Sequence, residues 1–129
     1  MKAPNNVKKH ESDLSTFWFD EDGILRAVAK RCIRTLETQK RNFNFIASFT
    51  EHKQVCLLAD TSEATPLDRE SREFTAQELP KLFKAMAIIS ISPLGRFIAN
   101  GFLAVNKQPI PIKFFTNEQD ARDWLKQFL

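Results

Sequence analysis

The sequence predicts a single α/β domain of order ββαβαβαβα, with a five-stranded mixed sheet and four helices. Three observations predict it. Two apolar runs, Gln54–Ala59 and Met86–Ile91, are bounded by polar or charged residues, as strands buried on both faces are. Segments with apolar residues at helical spacing separate these runs, which implies parallel pairing through right-handed crossovers. Asp22-Gly23 stands between two shorter apolar runs at the front, the mark of an antiparallel hairpin.

The elements follow in order. Residues 1–14 are polar, carry Pro4 and Asn5-Asn6 and show no period, so they are expected to form a flexible tail, with the domain over 15–129. Thr16–Phe19 and Ile24–Lys30 make the hairpin, with Gly23 free to take positive φ in the turn. Thr35 is the expected N-cap of the first helix, with Glu37 in its first turn and Leu36, Phe43, Ile46 and Phe49 on one face. That helix should end near His52. Asp60 closes the strand that follows, and Thr61–Leu67 is loop. Asp68 caps a second helix through Glu78, with Phe74 as anchor; Pro80 is expected to interrupt it and residues 81–84 to form a turn. Ser92-Pro93 reads as N-cap and first position of a third helix to about Asn106, with Phe97, Ile98, Phe102 and Val105 inward. Pro109 and Pro111 enforce extended backbone ahead of the strand Ile112–Thr116. Asn117 caps a last helix whose core stripe is Ala121, Trp124, Leu125 and Phe128.

Composition narrows the function classes. With 129 residues and 43% hydrophobic content the chain can bury a core without disulfide or metal staples. Twelve Phe and no Tyr favour a dry core. Cys32 and Cys56 sit in apolar stretches and read as small hydrophobes. No apolar run reaches the roughly 20 residues of a membrane span, and residues 1–10 lack a secretory apolar region, so a cytoplasmic location is expected. His10 and His52 stand apart from any Cys or Ser motif, and Gly23, Gly95 and Gly101 stand alone. Neither a catalytic triad nor a phosphate loop is suggested, and the expectation is a protein that is not an enzyme and needs no cofactor or metal. Charge is polarised: residues 26–53 carry +5 and residues 60–78 carry −4.

The opening Phe17-Trp18-Phe19-Asp20-Glu21-Asp22-Gly23, the strand end Leu57-Leu58-Ala59-Asp60 and the joint Ser92-Pro93-Leu94-Gly95-Arg96-Phe97 form one pattern with the closing Phe114-Phe115-Thr116-Asn117 to Asp123-Trp124-Leu125 unit. This pattern, over about residues 16–129, resembles the STAS domains, in the divergent SpoIIAA-like branch that also relates to the SEC14 carrier fold. The resemblance implies a bacterial, cytoplasmic regulatory module. It also implies a phosphorylatable Ser or Thr after an Asp at the start of the helix following the third strand. Those positions fall on Asp68 and Arg69, and Arg is not a substrate for the Ser/Thr kinases that partner such domains. Ser71 lies two residues on.

The site expected from these residues is a crevice at the carboxyl ends of the parallel strands. Asp60 and Thr61 follow one strand; Ser92, Gly95 and Arg96 follow the next, where a helix N-terminus could hold an anion. Asp68 and Arg69 complete the candidate set. The reading that follows is docking of a protein partner or of a second copy in a homodimer. The alternative is a carrier or sensor of a small apolar or anionic ligand in the crevice. A third, nucleic-acid binding through Arg26–Arg41, lacks interleaved aromatics and ranks below both. A Phe-lined pocket would favour the carrier, and a flat apolar patch would favour partner docking.

Overall fold

In the computed structural model, residues 1–90, 92–105 and 108–129 are described, apart from the side chains of Ile98, Phe102, Leu103 and Val105. Six strands, β1 His10–Glu11, β2 Ser15–Phe19, β3 Leu25–Ala29, β4 Val55–Asp60, β5 Phe83–Ile89 and β6 Ile112–Phe115, form one sheet. The helices are α1 Leu36–Phe49, α2 Arg69–Leu82, α3 Pro93–Val105 and α4 Glu118–Leu125, the last running into a 3-10 turn over Lys126–Phe128. The sheet order follows the chain order without reversal. β1–β2 and β2–β3 pair antiparallel; β3 to β6 pair parallel.

The sheet therefore has six strands where five were expected. The extra one is β1, which pairs His10 with Phe17 and Glu11 with Thr16. Two polar residues carry no alternation to read, and side chains hold the strand instead. Glu11 accepts from Thr16 at 3.0 Å and lies 2.8 Å from Lys30 Nζ, while the His10 ring stacks on Phe49 with centroids 4.2 Å apart.

β4 and β5 are interior strands, and alternation along them builds two cores. Leu57, Phe83 and Met86 join Phe17, Leu25, Ala27, Phe43 and Ile46 on the face covered by α1 and α2. Cys56, Leu58, Ala85, Ala87 and Ile89 face the other way and meet Ala121 and Leu125 of α4. The expected caps are present: Thr35 forms a reciprocal capping box with Thr38, Asp68 accepts from the Ser71 amide, and Asn117 accepts from the Asp120 amide.

Three expectations change. Pro80 lies inside α2, which runs on to Leu82. It sits in the last turn, so the missing N–H costs one hydrogen bond, while buried Leu82 and half-buried Leu79 pin the helix end to the core. β5 consequently starts at Phe83, a core residue in place of a turn residue. On α3, Phe97 points outward and is 78% exposed, while Ile98, Phe102 and Val105, also expected inward, have side chains outside the described residues. Trp124, expected in the core stripe, is half-buried between Phe115 and Phe128; Ala121 and Leu125 make the buried contact.

Candidate functional site

The face of the sheet beneath α1 and α2 is where the residues leave room. Phe43 and Ile46 of α1 and Leu79 of α2 span the gap to the sheet, but Ala27, Ala29 and Ala59 on β3 and β4 are too small to fill it. An open cavity of about 290 Å³ remains, floored by Phe17, Leu57, Phe83 and Met86 and bounded near the carboxyl ends of β3 and β4 by the loop at Ala64, Thr65 and Leu67. Pockets of this kind, mostly apolar with a few polar groups, are where small ligands bind.

Its polar groups are mostly occupied. Gln39 is buried and donates to Thr75 Oγ1 at 2.9 Å, and Thr75 in turn donates to the Ser71 carbonyl at 2.8 Å. The Thr61 amide and hydroxyl both donate to the Ile89 carbonyl, at 3.1 and 3.2 Å. Asp60 accepts from the Met1 ammonium at 2.8 Å and from the Ser62 amide at 3.0 Å. Burial alone would raise the Asp60 pKa, but these bonds outweigh it and hold the carboxyl below the usual value. Arg34 is the exception. One of its terminal nitrogens donates to the Leu14 and Lys30 carbonyls at 2.9 and 3.0 Å, while Nε is buried with no acceptor. Desolvation pulls the Arg34 pKa down, with the nearby Cys32 thiol opposing it.

Of the residues expected from sequence, Asp60 and Thr61 line this cavity. Asp68 caps α2 through the Ser71 amide at 2.8 Å, and that bond lowers its pKa. Arg69 extends into solvent and bonds Glu73 one turn on at 3.0 Å, which offsets a cation at a helix N-terminus. Ser92 accepts from the Gly95 amide at 3.1 Å, a Cβ on Gly95 would sit 3.1 Å from the Ser92 hydroxyl, and the Arg96 side chain bonds the Ser90 carbonyl. Ser92, Gly95 and Arg96 thus form a self-contained helix cap, and none of them lines the cavity. The strictly sequential strand order has no switch point, and the space under α1 and α2 reaches the carboxyl ends of β3 and β4 at Asp60 and Thr61. Sequence reasoning missed Arg34, Gln39 and the three alanines. Small residues on adjacent parallel strands beneath an apolar helix face were the signal available.

Much of the basic segment is neutralised. Arg26 is buried and bonds Asp20 at 2.9 Å and Glu118 at 2.7 Å; Arg31 pairs with Glu63, and Arg41 with Asp13 and Glu37. A larger, more polar cleft of about 510 Å³ beside Trp18 is lined by this same Arg26–Asp20–Glu118 group. Elsewhere, α3 leaves Leu94 68% and Phe97 78% exposed, and Arg96 is the only charged residue in its sequence. Among the described residues, no cluster of His, Cys, Asp and Glu could hold a metal, and no helix is long and apolar enough to cross a membrane.

An uncharacterized protein of the DUF3478 family with a SpoIIAA-like fold, from Shewanella loihica PV-4, is similar in structure. It shares 23% identity over 97% of this chain and 98% of that one, with a TM-score of 0.55. The chain thus has the SpoIIAA-like fold that its hairpin and strand joints led us to expect. Residues 17–129 match the family model described as a domain of unknown function, DUF7793, and the chain belongs to that family. A protein with unknown function from Arthrobacter sp. FB24 shares 29% identity over 85% of this chain and 97% of that one, but its TM-score of 0.31 carries no structural argument. No curated protein matches the chain.

Proposed function

We propose that this protein is a non-enzymatic, STAS-like binding module that carries or senses a small, largely apolar ligand between α1, α2 and the sheet. The observation that carries the reading is the open cavity of about 290 Å³ lined by Phe17, Phe43 and Phe83. A domain free to pack for stability alone would fill such a space with larger side chains, because close packing is what core residues gain from. Titrating ¹⁵N-labelled protein with 1-octanol should shift the amides of Phe17, Phe43 and Leu57 saturably. Ala59→Leu, which fills the space, should abolish those shifts. If the wild-type amides do not move up to the solubility limit of the alcohol, the reading fails.

Partner docking is a second reading, favoured by exposed Leu94 and Phe97 on a nearly uncharged helix. On this reading α3 seats a protein partner or a second copy of the chain. Sedimentation equilibrium of the parent and of Phe97→Glu tests the second-copy form: association that the substitution abolishes supports it, and a parent monomeric throughout refutes it.

A further inference from the structure

Two charged side chains line the cavity, Asp60 and Arg34, and their situations differ. Both Asp60 oxygens are engaged, by the Met1 ammonium and the Ser62 amide. Among the described residues, no carboxylate oxygen lies within 4 Å of an Arg34 nitrogen. Its Nε–H is buried and unused, and its other contacts are to neutral carbonyls that leave the charge uncompensated. Arginine keeps its charge even when desolvated, and a planar guanidinium binds carboxylate oxygens through directed N–H bonds.

We propose that the ligand of this cavity is a small amphipathic carboxylate. Its head pairs with the Arg34 guanidinium, and its apolar body lies against Phe17, Phe43, Leu57 and Phe83. This rests on the ligand-binding reading above and adds the chemical class. The cavity sets the size: about 290 Å³ holds roughly ten non-hydrogen atoms if each takes about 30 Å³, a water's share of the liquid.

Octanoate and octanamide test the proposal, since they match in shape and atom number and differ in charge. In ¹⁵N-amide titrations of the full chain at pH 7, octanoate should bind about tenfold or more tightly than octanamide, the scale of one charge-assisted hydrogen bond. Arg34→Gln should bring the two within about twofold, and Ala59→Leu should remove both. Equal binding of the two compounds by the parent overturns the carboxylate inference and leaves the cavity reading standing. Binding of neither overturns both. A preference for octanoate that survives in folded Arg34→Gln also overturns it, by removing Arg34 from the head-group site. Because Arg34 also ties the Leu14 and Lys30 carbonyls, a poorly folded Arg34→Gln leaves the parent comparison to decide.

Discussion

Leu125→Ala and Phe97→Ala should have very unequal consequences, with the smaller truncation costing more. Leu125 is fully buried on α4 against the Cys56, Leu58 and Ala87 face of the sheet. Removing it costs the transfer free energy plus a cavity, about 3 kcal/mol within the range for core Leu→Ala changes. With an unfolding entropy of about 2.1 cal/mol/K per residue, a chain of 129 residues should lose roughly 11 °C in Tm. Phe97 is 78% exposed, so little burial is lost on truncation, and alanine is the better helix former. Its change should stay within about 0.5 kcal/mol of the parent, on either side. Urea denaturation followed by circular dichroism at neutral pH measures both, and unchanged m-values would license the comparison. A Leu125→Ala cost below about 1 kcal/mol, or a Phe97→Ala cost above about 1.5 kcal/mol, would refute the assignment of α4 as anchored and of this α3 face as uncovered.

Two further outcomes are expected. Ser71 is completely buried and the Thr75 hydroxyl is held between Gln39 and the Ser71 carbonyl. Incubation with cell lysate and ATP should therefore leave both unphosphorylated, and stoichiometric phosphate at either, mapped by mass spectrometry, would restore a kinase switch at the start of α2. The folded-state pKa of Asp68 is depressed, chiefly by the Ser71 amide, so its stabilising contribution is complete above the unfolded value near 4 and is lost as pH falls through the folded value. Asp68→Asn keeps a competent cap without titrating, so urea midpoints should favour the parent more at pH 7 than at pH 3, and a pH-independent gap would contradict this.

Much of the fold was legible because local signals and global packing agree along most of the chain. β4 is apolar along nearly its whole length, since its alternate residues fill different cores, and Thr35, Asp68 and Asn117 cap because a short polar side chain before an apolar stripe has few other uses. The failures lie where tertiary contacts override local chemistry. Pro80 is carried through by Leu79 and Leu82, and His10–Glu11 becomes a strand through a ring stack and a lysine contact made by residues far along the chain. The candidate site was half legible. Asp60 and Thr61 follow from where a strand ends, whereas Arg34, Gln39 and Ala59 converge only once α1 lies over β4.

The sequential strand order bears on how the chain is made. Every ladder joins strands that are neighbours in the sequence, from the β2–β3 hairpin to the β5–β6 pair. No strand waits for a distant one to be inserted beside it, which keeps loop closure short for a largely parallel sheet. A chain emerging amino end first from the ribosome can lay each strand against the edge left by its predecessor. The growing edge is then the surface that needs shielding, and on the finished sheet Asn100 supplies it. Its side-chain amide bonds both the N–H and the carbonyl of Phe114, at 2.9 and 3.1 Å, standing in for the next strand and ending the series.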